Sequence, residues 1–375
     1  MNELSKLRDE IDQCDRELVE ILARRNQVTA KVGAFKQQKG QAVYVPSREV
    51  ELIEARREQA AQAGLSPDLI EDVLRRLMRE SYQNQQQGLA CAAPNLSPIV
   101  IVGGRGAMGQ LFYRQLLRSG YEVDILDTDN QEQADKLISR AKCVIISVPI
   151  HAVESVVQAL PALSPECLLL DVTSVKAKPL QVMQKHHSGP VLALHPMFGP
   201  DIPHWVKQTV VVCQNQPSES ASSFLKQLKV WGCNLVSMEA QKHDEAMQIV
   251  QVMRHLTTFV YGQFLAKQSH SLDEIESCSS PIYHLELMMV GRLFAQSPEL
   301  YSDIMLAQFD DVAPLMKEYS EVFQQTFEKL RANDKAGLIE DFEQAKSFFS
   351  DSASAFLSQS KALLSKANDA KVLEY

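Results

Sequence analysis

The sequence predicts a multidomain protein of the α and α/β classes, in which a central α/β region separates two helical regions. Apolar residues recur every three or four positions over residues 4–78 and again beyond about residue 240, which is the helical period. Between these regions, short apolar runs alternate with helical patterns, as in a parallel sheet with crossover helices. At 375 residues, the chain is long enough for two or three domains of about 100 to 200 residues each.

Residues 1–90 are predicted to form an all-helical module. The apolar positions between residues 4 and 35 indicate one helix of about 33 residues, which would be about 50 Å long. A second helical stretch covers residues 47–63, and Ser66 with Pro67 begins a third. Because a module of this size cannot cover the apolar stripe of so long a helix, we expect it to pack against a second chain in a homodimer.

A linker is predicted at residues 91–98, where the sequence is small and polar, contains two prolines and has no hydrophobic period. Residues 99–240 are predicted to form a parallel α/β domain, and residues 241–375 an all-helical domain. The predicted strands are the apolar runs IVIV (99–102), VDIL (123–126), CVIISV (143–148), LLLDV (168–172), VLAL (191–194) and VVVC (210–213).

The overall composition argues against several classes of function. The formal net charge of −9 argues against nucleic acid binding, since phosphate neutralisation needs a basic surface. No apolar run approaches the roughly 18 residues needed to cross a bilayer, and the first residues lack the apolar stretch of a secretory signal. The seven cysteines are scattered without a CxxC pair, which favours reduced thiols over disulfides or zinc ligands. We therefore expect a cytoplasmic protein with no membrane contact and no bound metal.

A glycine-rich turn follows the first predicted strand. Gly104, Gly106 and Gly109 form GxGxxG before a helical stretch, an arrangement that lets the backbone approach a pyrophosphate at a helix N-terminus. The second predicted strand ends at Asp127, whose carboxylate would accept hydrogen bonds from ribose hydroxyls and repel a ribose phosphate. The pattern predicts a Rossmann-like domain that binds NAD. Arg105 within the turn is a further candidate for phosphate contact, which leaves NADP open, and a glycine-rich turn without a cofactor is the alternative.

From residue 98 onward, the sequence resembles prephenate dehydrogenase. The resemblance rests on the order and spacing of SVPI (147–150), DVTSVK (171–176), LALHPMFGP (192–200), KHD (242–244), VMRHLTTF (252–259) and SSPIYHLELMMVGRLFAQ (279–296). It implies that His195 is the catalytic histidine, that Ser174 and Lys176 are its neighbours in the active site, and that His255 and Arg292 bind substrate. The implied cofactor contacts are Gly104, Gly106, Met108, Gly109, Asp127, Ser147 and Pro149.

The expected chemistry suits these residue types. Prephenate carries two carboxylates, and loss of a hydride and of CO2 makes its ring aromatic, so the protein has only to align the hydride, accept the hydroxyl proton and hold the dianion. A neutral His195 suits the proton acceptor, although a histidine before proline at a strand end is otherwise often a loop residue. Arg292 can grip a carboxylate through two hydrogen bonds, and Ser174 can orient the imidazole or the hydroxyl. His243 and His255 would lie about 120° apart on one continuous helix, and His255 is preferred as a substrate contact.

Residues 1–90 resemble the all-helical class of chorismate mutase. The resemblance implies substrate contacts at seven positions, which are Arg8, Arg25, Lys36, Arg48, Glu49, Ser81 and Gln85. Lys36 and Gln85 would donate to the ether oxygen of the substrate, while Arg8, about 100° round the helix from Arg25, would reach a site in a partner chain. An Asp of the family pattern is Val45 here, which shifts the contact with the substrate hydroxyl to Glu49.

The mutase reaction is a pericyclic rearrangement, so it requires a folded dianion and stabilised charge rather than an acid, a base or a nucleophile. Cationic and amide side chains meet that requirement. By periodicity alone, Arg8, Arg25 and Arg48 are better explained as solvated charges on helices.

Together, the two resemblances match the bifunctional chorismate mutase–prephenate dehydrogenases of tyrosine biosynthesis. They imply isomerisation of chorismate to prephenate, followed by NAD-dependent oxidative decarboxylation of prephenate to 4-hydroxyphenylpyruvate, with tyrosine as a candidate feedback inhibitor. Two alternatives remain open. One is a prephenate or arogenate dehydrogenase with a non-catalytic helical module for dimerisation or regulation, and the other is an NAD-binding sensor without turnover.

Overall fold

The structure of the chain, a computed structural model, describes residues 3–85, 88–214, 216–307 and 309–369. The chain divides into two compact units, Met1–Asp244 and Glu245–Tyr375. Within the described residues, no helix combines the length and apolar character needed to cross a membrane. The predicted succession of a helical, an α/β and a second helical region is confirmed.

Three helices form the N-terminal module: α1 (Glu3–Gln38), α2 (Pro46–Gln62) and α3 (Pro67–Asn84). Both α2 and α3 begin with proline, whose missing N–H costs nothing in a first turn. At the start of α3, the Ser66 hydroxyl oxygen accepts a hydrogen bond from Leu69 N, as the sequence predicts. α3 packs against both α1 and α2.

The apolar stripe of α1 stays largely uncovered within the single chain. Leu18 and Phe35, for example, are 51% and 55% exposed, and Leu22 is half-buried. Coverage of this stripe by a second chain therefore remains a prediction, and the exposure is what that prediction requires.

The α/β domain is built on one seven-stranded sheet with the order β2-β1-β3-β4-β5-β6-β7. Its strands are β1 (Ile99–Val102), β2 (Val123–Leu126), β3 (Cys143–Ile146), β4 (Leu168–Asp171), β5 (Val191–Pro196), β6 (Thr209–Cys213) and β7 (Asn234–Ser237). Its helices are α4 (Ala107–Arg118), α5 (Ala134–Arg140), α6 (Val153–Ala159), α7 (Ala177–His186) and α8 (Glu219–Val230), followed by α9 (Ala240–Met247). Short 3-10 turns occupy Pro94–Leu96, Gln131–Gln133 and Ile150–Ala152.

One edge of the sheet departs from the predicted parallel arrangement. β1 to β5 are parallel, whereas β6 runs antiparallel to β5. Residues 197–208 connect β5 to β6 without a helix, and a chain that returns without a crossover reverses its direction. β7 pairs in parallel with β6 and is absent from the predicted strands, because its residues are half-buried or exposed and form no apolar run.

The hydrophobic core lies on both faces of this sheet. Ile99 and Ile101 pack into one buried cluster, and Val100 and Val102 pack into the other. Because both faces are covered, the central strands are continuous apolar runs rather than alternating ones.

Residues 89–96 pack against the α/β domain. Leu89, Ala93 and Leu96 are buried, and Gln227 on α8 accepts a hydrogen bond from Ala92 N and donates one to the Ala90 carbonyl. The predicted division into separate domains at residues 91–98 remains a prediction, since residues 1–244 form one compact unit.

The second unit, Glu245–Tyr375, is helical in its described residues. It contains a π-helical segment Gln248–Met253, then α10 (Arg254–Ala266), α11 (Leu272–Ser277), α12 (Pro281–Phe294), α13 (Pro298–Leu306), α14 (Phe309–Arg331), α15 (Lys335–Phe349) and α16 (Ser352–Asp369). The π-helical segment lies between His243 and His255, so the predicted angle of about 120° for one continuous α-helix does not apply.

Candidate active sites

The glycine-rich turn joins β1 to α4 and requires glycine for steric reasons. Gly103 has a φ of +76°, a left-handed conformation that glycine adopts without strain. A Cβ on Gly104 would lie 2.8 Å from Ile125 Cγ1, and one on Gly109 would lie 2.6 Å from the Gly103 carbonyl oxygen. α4 can therefore begin directly after Gly106 and close to the sheet, with its first N–H groups suited to an anion.

Asp127 follows β2 and lines a cleft of about 390 Å³ together with residues of the glycine-rich turn. Its Oδ2 accepts a hydrogen bond from Arg105 N at 2.9 Å, and its Oδ1 accepts one from Thr128 N at 2.9 Å. Each carboxylate oxygen can accept a second hydrogen bond, as a ribose hydroxyl requires. The Arg105 guanidinium lies 2.7 Å from Asp129 Oδ2, so it is engaged by a carboxylate in this structure. The cleft, the helix N-terminus and Asp127 fit a dinucleotide.

The remaining predicted cofactor contacts lie near the same turn. Ser147 follows β3, and its carbonyl oxygen lies 2.5 Å from the place where a Cβ on Gly103 would stand. Pro149 is exposed two residues further on, whereas the side chain of Met108 is half-buried against the hydrophobic core. Cofactor contacts at these three residues remain predictions.

A chain of three side chains runs from β5 to α9. His195 Nδ1 lies 2.8 Å from His243 Nε2, and His243 Nδ1 lies 2.8 Å from Asp244 Oδ1. Since a carboxylate only accepts, His243 Nδ1 carries the proton and its Nε2 accepts from His195 Nδ1. In this arrangement His195 Nε2 carries no proton of its own, and an unprotonated ring nitrogen is what a general base requires.

Two buried charges lie next to these three hydrogen-bonded side chains. Lys176 and Asp171 are each fully buried, and Lys176 Nζ donates to Asp171 Oδ2 at 2.6 Å and to the Leu194 carbonyl oxygen at 2.7 Å. The Asp244 carboxylate accepts from Lys176 N at 2.8 Å and from Ala177 N at 2.9 Å. Lys176 thus connects the end of β4 to β5 and to Asp244. A substrate contact at Lys176 remains a prediction.

The surroundings of His195 keep it neutral. Burial lowers the pKa of His195 well below its ordinary value, and the positive charge of Lys176 and the neighbouring His243 lower it further. A neutral imidazole at neutral pH is the form that accepts a proton.

The other predicted substrate residues of the dehydrogenase are distributed over both units. Ser174 is half-buried in the segment between β4 and α7. In the second unit, His255 on α10 is buried and meets the Tyr301 ring edge to face at 4.7 Å, while Arg292 on α12 is exposed. α10 and α12 pack against each other. Substrate contacts at Ser174, His255 and Arg292 remain predictions.

In the helical module, α1 and α3 bring several predicted substrate residues together. Arg25 NH1 donates to Ser81 Oγ at 2.8 Å and to the Leu77 carbonyl oxygen at 3.3 Å. Lys36 Nζ donates to the Val43 carbonyl oxygen at 2.8 Å. Burial lowers the pKa of both Arg25 and Lys36, although both ordinary values lie far above neutrality. Two desolvated cations on one helix suit a small dianion.

Gln85 lies at the C-terminal end of α3 against α1. A Cβ on Gly33 would come within 2.9 Å of Gln85 Cγ, so glycine at position 33 allows this close packing. Among the described residues, the buried Gln85 Oε1 has no hydrogen-bond partner. A buried amide oxygen without a protein partner is compatible with a nearby ligand, and donation by the Gln85 amide to the substrate remains a prediction.

Three further predicted mutase residues have different surroundings. Glu49 on α2 is buried and accepts hydrogen bonds from Tyr82 OH at 2.9 Å and from Arg75 NH1 at 3.2 Å. Arg8 is exposed, and the Arg48 side chain is 71% exposed and 3.7 Å from Glu51 Oε2. The single chain therefore does not show Arg8 or Arg48 enclosed in a site.

Sequence reasoning assigned no role to Asp244 or Asp171, and it ranked His243 below His255 as a substrate contact. The KHD stretch was a usable signal for His243 and Asp244, because its His and Asp are adjacent and follow the last predicted strand. Asp171 ends a continuous apolar strand, and a charge at that place indicates a specific buried partner.

The hydrogen-bonded relay of His195, His243 and Asp244, together with the glycine-rich turn, defines a dinucleotide-dependent dehydrogenase. Arg25 and Lys36 in the helical module define a second site, which suits a small anion. Comparison with known families agrees with both. Residues 7–86 match the model of chorismate mutase type II, residues 116–228 that of the prephenate dehydrogenase nucleotide-binding domain, and residues 239–344 that of the prephenate dehydrogenase dimerization domain.

Whole-chain relatives show the same arrangement. The T-protein of Enterobacter agglomerans is 47% identical over 98% of this chain and 99% of its own length, and that of Haemophilus influenzae is 42% identical over 99% of both. A solved prephenate dehydrogenase from A. aeolicus, in complex with hydroxyphenyl propionate and NAD+, shares the fold with a TM-score of 0.52 at 18% identity, over 66% of this chain and 95% of that one. The chain belongs to the T-protein family, as the sequence predicts.

Proposed function

We propose that the chain converts chorismate to prephenate in its helical module and oxidises prephenate to 4-hydroxyphenylpyruvate with NAD, as a bifunctional enzyme of tyrosine biosynthesis. The observation that carries the dehydrogenase assignment is the hydrogen-bonded relay from Asp244 through His243 to His195, which fixes the tautomer of a buried histidine on β5. The paired matches to mutase and dehydrogenase families support the joint assignment.

In the dehydrogenase reaction, NAD supplies the hydride acceptor when bound. His195 accepts the proton of the substrate hydroxyl at Nε2, and Asp244 stabilises the resulting positive charge through His243. Lys176 positions β5 through the Leu194 carbonyl and α9 through Asp244. Asp127 and the N-terminus of α4 would hold the ribose and the pyrophosphate of NAD. Arg292 and His255 remain the proposed substrate contacts.

In the mutase reaction, the side chains act by position and charge. Arg25 and Lys36 bind the two carboxylates and the ether oxygen of the folded substrate, and Gln85 supports the same oxygen with its amide. Ser81 holds Arg25 in place through the 2.8 Å hydrogen bond between their side chains. Glu49 accepts a hydrogen bond from the substrate hydroxyl, and Arg8 acts from a partner chain.

Two observations bear on the quaternary state. The exposed stripe of α1 and the match to a dimerization domain support a homodimer. A cytoplasmic location and feedback inhibition by tyrosine remain predictions, and arogenate remains the alternative substrate, since it differs from prephenate only by an amine in place of the keto group.

The test is to supply chorismate with NAD and to follow 4-hydroxyphenylpyruvate, with His195→Asn and Lys36→Ala compared to the wild type. We expect His195→Asn to accumulate prephenate with a dehydrogenase rate at least about 100-fold lower. Lys36→Ala should lower the mutase rate by a similar factor, and this variant should still oxidise added prephenate.

Loss of both activities in either variant, with folding intact by circular dichroism, would contradict the assignment of two separate sites. Failure of the wild type to consume chorismate would favour a non-catalytic helical module, and failure to release NADH from prephenate would favour a sensor.

A further inference from the structure

Glu49 of the helical module is bound by a residue from the α/β domain. Lys207, in the segment between β5 and β6, donates from Nζ to Glu49 Oε1 at 2.5 Å. The same carboxylate accepts from Tyr82 and Arg75 on α3. Glu49 is 8% exposed, whereas the Lys207 side chain is 45% exposed, so the cation reaches inward from the surface to a buried anion.

The fold holds Lys207 in a conformation that disfavours its residue type. Its φ is +65°, and a left-handed backbone costs a residue with a Cβ about 1 to 2 kcal/mol. Lys207 N donates to the Gly232 carbonyl oxygen at 2.9 Å, and Lys207 Nζ lies 5.1 Å from the centroid of the Tyr44 ring. Glycine or asparagine would adopt this backbone more easily, so the surrounding structure must hold Lys207 in this conformation.

The segment that carries Tyr44 is fixed to the α/β domain beside this contact. Val43 N donates to the Val230 carbonyl oxygen at 3.1 Å, and the Val43 carbonyl oxygen accepts from Lys36 Nζ. A Cβ on Gly232 would lie 3.2 Å from Tyr44 Cβ, so glycine permits the close approach. One short segment therefore connects Lys36, which belongs to the proposed mutase site, to the α/β domain that supplies Lys207.

We propose that Lys207 is a positioning residue of the mutase site, supplied by the dehydrogenase half of the chain, and that it fixes the Glu49 carboxylate to receive the hydroxyl of chorismate. The inference rests on the proposed mutase role of Glu49. It follows that the helical module reaches full mutase activity only with the α/β domain attached.

The electrostatics agree with this geometry. Burial raises the pKa of Glu49, but the hydrogen bonds from Lys207 and Tyr82 and the charges of Lys207 and Arg75 outweigh burial and lower the pKa below its ordinary value. The groups that face this carboxylate are Lys207, Arg75 and Tyr82. Around them lie Tyr44 beside Lys207, His204 against the Tyr82 ring, Glu71 paired with Arg75, and Arg25 beyond Tyr82. Without Lys207, one cation and one hydrogen bond are lost, and burial then acts against the carboxylate form.

The test compares Lys207→Met, Lys207→Arg, Glu49→Gln and the double variant Glu49→Gln/Lys207→Met in the full chain. Lys229→Met, which removes an exposed lysine from α8 of the same domain, is the matched control. The mutase kcat and KM for chorismate are measured between pH 5 and pH 8.5, and NADH release from added prephenate is measured on the same preparations.

We expect Lys207→Met to raise the KM for chorismate about tenfold, which corresponds to about 1.4 kcal/mol, and to shift the acid limb of kcat/KM to higher pH. Lys207→Arg should stay within about threefold of the wild type, because it retains the charge and the donor. In the Glu49→Gln background, Lys207→Met should change KM less than about twofold, since the two residues act on one contact. Lys229→Met should leave both reactions unchanged, and NADH release from prephenate should change less than about twofold in every variant.

Two results distinguish a failure of the proposed mutase site from a failure of the inference about Lys207. If Glu49→Gln leaves the mutase kinetics unchanged, the role of Glu49 is wrong and the inference fails with it. If Glu49→Gln weakens the mutase while Lys207→Met does not, or if the two effects add fully in the double variant, the mutase assignment stands and the role of Lys207 is refuted.

Discussion

Replacing Asp244 by Asn changes the number of hydrogen-bond acceptors at the end of the His195 relay. The carboxylate accepts from His243 Nδ1 and Lys176 N at 2.8 Å each, and from Ala177 N at 2.9 Å. An amide has one accepting oxygen, so its NH2 group must face at least one of these N–H donors. In one amide orientation, the NH2 group donates to His243 Nδ1, which reverses the relay and puts the proton on His195 Nε2.

The expected loss can be worked out from this geometry. The amide removes the negative charge that stabilises a protonated relay and leaves one backbone donor without an acceptor, which costs about 1 to 3 kcal/mol. General base catalysis contributes about 10² to 10⁴ in rate, and the variant retains the ring itself. We therefore expect the dehydrogenase kcat to fall about 100-fold, or about 2.7 kcal/mol in activation free energy, with little change in the KM for prephenate.

The assay is steady-state NADH formation from prephenate at saturating NAD, with mutase activity on chorismate as the measure of intact folding. Glu245→Gln removes the same charge one residue further along, from an exposed side chain, and should behave as the wild type. A kcat for Asp244→Asn within threefold of the wild-type value would refute the role of Asp244 and His243 in stabilising protonated His195.

Two further predictions concern the cofactor turn and the second unit. Gly109→Ala places a Cβ 2.6 Å from the Gly103 carbonyl oxygen and should raise the KM for NAD at least about tenfold without changing the mutase, so an unchanged KM would contradict the proposed cofactor position. Burial, with the charge of Arg254 adding to it, lowers the pKa of His255 to about 4. The unfolded chain binds this proton below about pH 6.5, so the stability from neutral His255 is complete above that pH and falls by about 3 kcal/mol as the pH is lowered to 4. Urea unfolding should show this loss in the wild type and in the exposed control His270→Gln, and a smaller loss in His255→Gln; equal losses in all three would refute the shift.

The family itself and the order of the regions were predictable from sequence because both depend on local patterns. The 3.6-residue period of α1, the proline starts of α2 and α3, and the apolar runs of six strands each reflect neighbouring residues that share one environment. The glycine-rich turn was predictable for the same reason, since a tight strand-to-helix turn restricts residue type within a few positions.

Other features needed the folded chain because they join residues far apart in sequence. His195 and His243 are 48 positions apart, and Glu49 and Lys207 are 158 apart, so no periodicity relates either pair. The relay forms because the fold places His195 at the end of β5 next to His243 on α9. The antiparallel direction of β6 depends on a connection that lacks a crossover helix. Lys176 shows the distinction within a single residue. Its sequence motif indicated a place near the catalytic histidine. Only the fold shows that its ammonium group is fully buried and donates to Asp171 and to the Leu194 carbonyl. A buried charge must be satisfied by partners, and the fold brings these partners together from distant parts of the sequence.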